Sequence, residues 1–394
     1  MSWRRRWQTL RMFRPLIGRV PASHMLYLWR QLRFEKPHRF AGQVRINTGF
    51  PPWPSQALDR FCAAVAARRR VPYSAYLAVT SECPYSCRHC SYAGRSTATM
   101  GHEALLDVVG QIKALGASTL GFTGGEPLLR EDLEDLIAAA RPEMATIVFT
   151  TGATLDARRA ERLAAAGVTC VTIGLESADP AEHDRVRGVA GSFAQAQAGG
   201  EACRTAGVYL AVSTVGFRQK IVSGDLERIY ELAGAWGAGE LRVLTPIATG
   251  GIAGSGESML TDTERRALVD FHIRRNSEHT GPAVASFARL ESDDLFGCGA
   301  GYHHLFIDAT GEVCPCDLTP LSFGNATVEP LADIWARMGK CFDLPRRGCL
   351  MGRLAGLIDA GEPLPLPRER SEQITPPRVI NEPLPEGYRR LMRT

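Results

Sequence analysis

Three cysteines lie close together in the stretch SECPYSCRHCSY. Cys83, Cys87 and Cys90 have the spacing C-x3-C-x2-C and directly follow an apolar, strand-like run at residues 75–79. Thiolates on one short loop can ligate three irons of a [4Fe–4S] cluster, which is normally held by cysteines. The fourth iron would have no protein ligand from this loop and could bind a small molecule. A structural zinc site is the alternative, but such sites usually need four protein ligands, and no fourth ligand lies near in the sequence.

A second group of cysteines lies towards the C-terminus. The segment LFIDATGEV predicts a β-hairpin with its turn near residues 308–311, which would bring Cys298 and Cys316 together. His303 and His304 are interpreted as strand residues, because the cysteines of this group suffice as ligands; a zinc site is again the alternative. The group consists of Cys298, Cys314, Cys316, Cys341 and Cys349.

The chain has eleven cysteines, and eight of them belong to these two groups. This distribution suits metal or iron–sulfur ligation in a reducing cytosol better than a disulfide framework. Cys62, Cys170 and Cys203 stand alone in apolar or helical contexts, and we expect them in the core.

The elements that must position these residues follow a strand–helix alternation from Tyr73 onward. Six such units in series predict a parallel sheet with right-handed crossovers, either a partial barrel or an open doubly wound sheet. Both architectures place ligands at the C-terminal ends of the strands. Strands are predicted at residues 75–80, 118–123, 145–150, 170–175, 208–215 and 239–244, and helices at about 56–70, 102–115, 130–140, 156–166, 192–206, 223–236 and 261–279.

Polar or glycine-rich segments follow several of these strands. The second strand ends in Thr123-Gly124-Gly125-Glu126-Pro127, where two glycines permit a close approach to the backbone and Glu126 can accept hydrogen bonds. Thr151 follows the third strand, Glu176 follows the fourth, and Ser213 lies in the fifth strand. Polar strand ends without a ligand are the alternative interpretation of Glu176 and Ser213.

The cysteine spacing, followed after about 35 residues by GGEP, resembles the radical S-adenosylmethionine (radical SAM) superfamily over about residues 73–345. The resemblance implies an α/β fold, a partial (β/α)6 TIM-type barrel, with an S-adenosylmethionine molecule chelated to the open iron of the cluster. It also implies that Gly124, Gly125, Glu126 and Pro127 hold the cofactor's amino group. Thr151, Glu176 and Ser213 occupy positions where the family contacts the cofactor, although the family more often has Ser and Asp where this chain has Gly174 and Glu176.

Cys298, Gly311 and Cys316 satisfy the C-x(9–15)-G-x4-C element of the SPASM and twitch extensions of this family. The chain lacks the further closely spaced cysteines of the full SPASM pattern, so the resemblance implies one auxiliary [4Fe–4S] cluster. Cys298 and Cys316 are its first candidate ligands, and the choice among Cys314, Cys341 and Cys349 stays open.

The family's chemistry is the reductive cleavage of S-adenosylmethionine to a 5′-deoxyadenosyl radical, which abstracts a hydrogen atom from substrate. The cofactor carries this difficult chemistry and the barrel orients it. The resemblance implies an electron donor such as flavodoxin or ferredoxin, and its first substrate prediction is a ribosomally made peptide. One alternative is an enzyme acting on a lipid or lipid precursor at a membrane surface, and another is a non-catalytic Fe–S or zinc protein.

The lipid alternative depends on the N-terminal residues 1–20, whose apolar and aromatic residues recur at helical intervals between arginines. This composition is typical of helices that lie on anionic membranes, but equally of a helix packed across the barrel with its arginines in water. Residues 1–45 carry eleven Arg or Lys and one acid, against a net charge of +4 for the whole chain. No comparable basic patch recurs, which argues against nucleic acid as a partner.

Four regions are expected. Residues 1–72 would form a basic helix and an extended connector, 73–280 the barrel, 281–360 the auxiliary cluster region, and 361–394 a proline-rich, loosely held tail. The sequence contains no uncharged apolar run long enough for a transmembrane helix and no secretory signal. We therefore expect a cytoplasmic protein, with a possible peripheral contact at the inner face of the membrane.

Overall fold

The structure, a computed structural model, describes residues 3–255, 259–354, 356–359, 361–375 and 383–392, without the side chains of residues 3–6 and 8. The strands are β1 (His38–Phe40), β2 (Gln43–Arg45), β3 (Ser74–Thr80), β4 (Thr119–Gly124), β5 (Ala145–Thr150), β6 (Cys170–Gly174), β7 (Leu210–Val215), β8 (Glu240–Leu244), β9 (Ala283–Ser286), β10 (His304–Ile307) and β11 (Val313–Cys314). Strands β3 to β9 follow each other in a single parallel sheet, and β10 adds in parallel to the free edge of β3.

Helices cover the outer face of this sheet. The described α-helices are α1 (Trp3–Met12), α2 (Ala22–Gln31), α3 (Gln56–Ala66), α4 (His102–Leu115), α5 (Leu133–Ala140), α6 (Ala157–Ala166), α7 (Pro180–Arg187), α8 (Ser192–Thr205), α9 (Arg218–Val222), α10 (Asp225–Ala235), α11 (Asp262–Ser277), α12 (Phe287–Leu290), α13 (Leu331–Met338), α14 (Leu350–Leu354), α15 (Arg368–Ile374) and α16 (Glu386–Leu391). None of these helices is long and apolar enough to cross a bilayer.

The sheet curves into a barrel that stays open. Arg242 on β8 donates a hydrogen bond to the Tyr76 hydroxyl on β3 at 3.4 Å. These strands are five places apart in the sheet order, which in a flat sheet corresponds to about 24 Å at 4.8 Å per strand. Their side chains meet only because the sheet bends around a shared interior. Within the described ranges β9 and β10 do not pair, so the barrel does not close.

The alternation of side chains along β3 separates the two faces of the sheet. Ala75, Leu77 and Val79 are fully buried and belong to the large cluster between the sheet and its helices. Tyr76 and Ala78 belong to a separate cluster on the inner face. Both faces of β3 are therefore covered, and its sequence is a nearly continuous apolar run, as expected for a buried parallel strand.

The predicted partial barrel is confirmed. All six predicted strands lie within two residues of their expected positions, and helix α4 has the predicted bounds. The structure adds β9 at residues 283–286 to the same sheet, beyond the boundary expected at residue 280. The predicted hairpin is present as β10 and β11, and it extends the barrel sheet instead of forming a separate layer.

The region before the barrel contains more structure than the sequence indicated. Residues 36–56 are not only an extended connector, because they contain the antiparallel hairpin of β1 and β2. Helix α2 was also not predicted. Strands β1 and β2 and helix α2 are short. Their apolar residues show no sustained periodicity by which these elements could be recognised in the sequence.

The N-terminal segment packs on the protein for part of its length. Met12, Phe13 and Leu16 are buried in a cluster with residues of α3 and α16. Trp7 and Ile17 remain 48% and 61% exposed. The predicted apolar face is therefore divided between the core and solvent.

The C-terminal tail was expected to be loosely held, and this expectation is wrong for its described part. Leu366 and Leu391 are buried, and the Leu366 amide donates to the Pro320 carbonyl at 2.9 Å. Apolar residues spaced between the prolines dock the short helices α15 and α16, which proline content alone did not reveal. Residues 376–382 lie outside the description.

Candidate active site and cysteine clusters

The loop that carries Cys83, Cys87 and Cys90 begins where β3 ends and is held by three other loops at the same end of the barrel. The Gly125 amide donates to the Thr80 carbonyl at 2.8 Å, and the Gly251 amide donates to the Cys90 carbonyl at 2.9 Å. The end of α7 supplies further backbone bonds, from Ser86 to Arg187 (3.2 Å) and from Arg88 to Val186 (3.3 Å). The loop conformation is thus determined by contacts that are distant in sequence.

The three thiols lie together at the carboxyl end of the strands. Burial, assisted by Glu126 and by the neighbouring Cys87 and Cys90, raises the pKa of Cys83 to about 11. Burial likewise raises the pKa of Cys90, and Cys87 adds to this rise. Cys83 is nevertheless exposed on one side. Thiols that oppose each other's ionisation in this way are a suitable donor set for a cationic metal cluster, which stabilises them as thiolates.

The glycines of the GGEP segment are required by close packing against the cysteine loop. A Cβ atom at Gly124 would lie 2.1 Å from the Thr80 carbonyl oxygen, and one at Gly125 would lie 2.0 Å from that of Glu82. Gly124 also has φ +125°, which L-residues with side chains rarely adopt. The sequence indicated a close approach to the backbone here, and the approaching group is the chain's own loop.

The Glu126 carboxylate is fully buried and organises the next strand end. It accepts hydrogen bonds from Thr150 Oγ1 (2.7 Å), from the Thr151 amide and hydroxyl (2.8 and 2.6 Å), and from the Leu128 amide (3.1 Å). Burial raises the pKa of Glu126, although these bonds favour its ionised form. Glu126 therefore joins the GGEP segment to the Thr151 turn, and both lie beside the cysteine loop.

Glu176 lies at the end of β6 inside a cluster of basic side chains. Its carboxylate is 3.1 Å from Arg187 Nη2, 3.3 Å from Lys220 Nζ and 3.3 Å from His89 Nε2. Burial opposes ionisation, but the electrostatic interaction with these three groups holds the pKa of Glu176 well below its usual range. Ser213 pairs in register with Gly174, two residues before Glu176, so the structure brings both predicted positions to one place.

Three cysteines of the C-terminal group come together. Cys298 interacts electrostatically with Cys349, and Cys316 interacts with both of them. The backbone explains this arrangement, because the Cys298 amide donates to the Arg346 carbonyl and the Gly301 amide to the Pro315 carbonyl, both at 2.9 Å. Burial raises the pKa of Cys298 to about 12. Cys349 is thus the third cysteine that the structure groups with Cys298 and Cys316.

The other two candidates of this group have different surroundings. Cys314 is fully buried, and its Sγ accepts a hydrogen bond from Arg95 at 3.5 Å. Among the described residues, Cys341 has Glu372, Arg346 and Lys340 as its electrostatic neighbours. Cys314 and Cys341 therefore have different electrostatic surroundings from Cys298, Cys316 and Cys349.

His304 is expected from the sequence to be a strand residue only, but in the structure its side chain also lies near Asp317 and Cys316. It begins β10, but its Nε2 atom lies 3.4 Å from Asp317 Oδ1, and Asp317 Oδ1 lies 3.3 Å from Cys316 Sγ. Burial opposes ionisation of Asp317, yet its contacts with His304 and Cys316 keep its pKa below the ordinary value. His304 and Asp317 could therefore serve as non-cysteine ligands beside Cys316. The β10–β11 hairpin creates this arrangement, because its register pairs Phe306 with Cys314 and so carries the start of β10 towards Cys316.

Charged side chains of the barrel interior also lie near the Cys298 site. Arg242 is buried, with its guanidinium 5.3 Å from the ring centre of Phe149. Glu291 interacts electrostatically with Asp317 and Arg242, and also with Cys298. Desolvation, assisted by the nearby Asp317, raises the pKa of Glu291 to about 7 against the opposing charge of Arg242.

Fold and site together define a parallel-barrel enzyme with two cysteine sites suited to iron–sulfur clusters. Two family models match the chain: the radical SAM superfamily at residues 77–233 and an iron–sulfur cluster-binding domain, SPASM, at residues 298–346. A PqqA peptide cyclase from Streptomyces rochei is 31% identical over 277 residues, which cover 67% of this chain and 75% of that protein. The chain belongs to the radical SAM superfamily.

Two further comparisons agree with this assignment. An AdoMet-dependent heme synthase from Nitratidesulfovibrio vulgaris (strain Hildenborough) is 27% identical over 289 residues, covering 66% of this chain and 77% of that protein. The crystal structure of Streptococcus suis SuiB bound to precursor peptide SuiA matches with a TM-score of 0.55 and 15% identity, covering 71% of this chain and 69% of that one. The protein is an enzyme that uses S-adenosylmethionine and [4Fe–4S] clusters. The zinc and non-catalytic interpretations are therefore not retained.

Proposed function

We propose that this enzyme modifies a ribosomally made peptide by radical chemistry. The observation that carries the proposal is the similarity to a PqqA peptide cyclase over three quarters of that protein's length. The similarity in fold to a structure with a bound precursor peptide is consistent with it. The bound cofactors would supply the radical that abstracts hydrogen, and the chain's residues would bind, orient and shield the reacting groups.

We further propose which residues hold the cofactors. Cys83, Cys87 and Cys90 would ligate the catalytic cluster, because they converge at the carboxyl end of the strands. Backbone carbonyl groups of the GGEP segment, more than the Glu126 carboxylate, would accept hydrogen bonds from the amino group of S-adenosylmethionine, since Glu126 already accepts four. Thr151, Glu176 and Ser213 would contribute to the same cofactor site.

Cys298, Cys316 and Cys349 would ligate one auxiliary cluster, with Asp317 or His304 next to its fourth iron. The substrate would then bind in the barrel interior between the two clusters, near Arg242 and Glu291. An exchangeable electron donor such as flavodoxin or ferredoxin would reduce the catalytic cluster.

The direct experiment is an anaerobic incubation of the reconstituted enzyme with S-adenosylmethionine, a strong reductant and short peptides encoded beside its gene. We expect 5′-deoxyadenosine together with a peptide whose mass has decreased by two hydrogen atoms per modification, both detected by mass spectrometry. If 5′-deoxyadenosine forms but every peptide is recovered unchanged while a tetrapyrrole or lipid precursor is converted, the peptide proposal is wrong.

A second candidate, a lipid-directed enzyme at a membrane surface, is favoured by the N-terminal segment alone. Trp7 and Ile17 are exposed, and so are Arg11, Arg14 and Arg19. Removal of residues 1–20 would be a poor test because Met12 and Leu16 are core residues.

Replacement of Arg11, Arg14 and Arg19 by Gln tests this candidate without disturbing the core. The matched control replaces three exposed arginines elsewhere, Arg185, Arg204 and Arg228. Flotation with anionic liposomes should decrease for the first variant alone if the membrane contact exists. Equal flotation of both variants would remove the reason for the lipid candidate.

A further inference from the structure

Arg187, at the end of helix α7, contacts the cysteine loop through its side chain as well as its backbone. Its Nη1 atom lies 3.4 Å from Cys87 Sγ, and its Nη2 atom lies 3.1 Å from the Glu176 carboxylate. The residue is only 8% exposed. A buried guanidinium thus bridges one of the candidate cluster ligands and the acidic residue at the end of β6.

The surrounding backbone fixes the position of this guanidinium. A Cβ atom at Gly174 would lie 2.1 Å from Arg187 Nη2, so the glycine that departs from the family's common serine makes room for the arginine. Gly188 ends α7 with φ +72°, and a Cβ atom there would lie 2.3 Å from Ser86 Oγ. The side chain therefore has little freedom to leave Cys87.

The charges around Arg187 do not cancel its effect on Cys87. Glu176 accepts contacts from Lys220 and His89 in addition to Arg187, so its negative charge is shared among several basic groups. A guanidinium keeps its positive charge at all accessible pH values. Hydrogen bonds to the ligand sulfurs and the local net charge are among the factors that set the reduction potential of an iron–sulfur cluster.

We propose that Arg187 is a positioning residue that raises the reduction potential of the catalytic cluster through its hydrogen bond and charge at the Cys87 thiolate. A reduced cluster carries one more negative charge than the oxidised cluster, so a fixed cation beside a ligand sulfur stabilises the reduced form. The inference depends on the proposed ligands Cys83, Cys87 and Cys90. Its role is to make the cluster reducible by a biological electron donor.

The test is a redox titration of the reconstituted full-length enzyme, followed by electron paramagnetic resonance without S-adenosylmethionine. The catalytic signal is identified by its change when S-adenosylmethionine is added afterwards. Arg187→Gln should decrease the equilibrium constant for reduction at least tenfold, which is a fall of 59 mV for a one-electron couple. Arg187→Lys, which keeps the charge, should recover part of this loss.

Arg185→Gln is the matched control, because Arg185 lies on the same helix but forms an exposed ion pair with Glu182. Its potential should equal that of the unmodified enzyme. Glu176→Gln should change the potential in the opposite direction, since it removes the anion that faces Arg187.

Two results would overturn the proposal. An unchanged potential in Arg187→Gln with full iron content would show that Arg187 has no influence on the cluster. Loss of the catalytic cluster in both Arg187→Gln and Arg187→Lys would show that Arg187 has a purely structural role in holding the cysteine loop. A cofactor-responsive signal that survives replacement of Cys83, Cys87 and Cys90 would instead contradict the proposed ligand set, and so distinguishes failure of that proposal.

Discussion

At the scale of single residues, the structure separates cysteines that share a spacing pattern but not a location. Cys314 and Cys316 are two residues apart, a spacing that would place both side chains on one face of a continuous strand, but β11 ends at Cys314 and Cys316 lies beyond a bend at Pro315. Cys316 interacts electrostatically with Cys298 and Cys349, whereas Cys314 accepts a hydrogen bond from Arg95. Spacing along the chain therefore could not decide which of them is a ligand.

Replacement of Cys349 by Ala should remove the auxiliary cluster and about half of the total iron, because one of two four-iron clusters is lost. Cys314→Ala, the matched control, should keep its full iron content. The measurement is iron and acid-labile sulfide per chain, supported by Mössbauer spectroscopy. The opposite pattern, with loss of iron only in Cys314→Ala, would show that the proposed ligand set is incorrect.

Glu126→Gln should destabilise the protein by about 2 kcal/mol, because a buried amide cannot accept all the hydrogen bonds that the carboxylate accepts, and unpaired buried donors are costly. The free energy of unfolding is measured by anaerobic denaturant titration. Glu131→Gln is the control, since the Glu131 side chain is 84% exposed and exposed ion pairs contribute little. Equal effects of the two substitutions would mean that the Glu126 network does not stabilise the strand ends.

At the scale of the elements, the cysteine loop takes its shape from the loops after other strands. The β4 loop packs backbone against backbone on residues 80–82, with no space for a side chain at Gly125. Helix α7, which was not predicted from the sequence, holds the cysteine loop from the other side. Its signals are present in the sequence as a capping Asp179, a first-turn Pro180 and a terminal Gly188.

Gly125→Ala should displace the cysteine loop and strongly reduce both the iron bound at the catalytic site and the cleavage of S-adenosylmethionine. The reason is that the added Cβ would lie 2.0 Å from the Glu82 carbonyl oxygen, and backbone must move. Gly110→Ala is the control: it lies within helix α4 with open space around it, where Ala is favoured over Gly by about 1 kcal/mol. Normal iron content and activity in Gly125→Ala would contradict the close packing described here.

At the scale of the whole molecule, the C-terminal tail closes back on the start of the barrel. His303 stacks between Tyr73 and Tyr388, with ring centres 5.7 and 5.6 Å apart, and Tyr388 lies on α16. This stack joins the residues before β3, the residues before β10 and the end of the chain. The protein is therefore not a series of independent regions in sequence order.

The stack predicts a pH dependence of stability. Burial, with a smaller contribution from His304, lowers the pKa of His303 from 6.5 to about 3. Since the unfolded chain binds a proton below pH 6.5 and the folded one does not, this contribution to stability is complete above pH 6.5. It is lost as the pH falls towards 3, by about 1 kcal/mol per pH unit between pH 6 and 5.

His303→Gln should remove that share of the slope, measured as the free energy of unfolding at pH 7, 6 and 5 under anaerobic conditions. The unmodified protein, measured under the same conditions, gives the reference slope. An unaltered slope in His303→Gln would show that His303 is not kept neutral by its burial.

In the sequence, the cysteine spacing and the GGEP segment carried the resemblance that gave the reaction class and favoured the partial barrel over an open sheet, and the apolar runs located six strands of that barrel. These depend on local patterns: apolar runs with regular spacing, and ligands or glycines adjacent along the chain. Only the tertiary structure shows the grouping of Cys349 with Cys298 and Cys316, the buried setting of Arg187, and the docking of the tail. Each of these depends on contacts between residues far apart in sequence, where side-chain direction and strand pairing, not spacing, determine which groups meet.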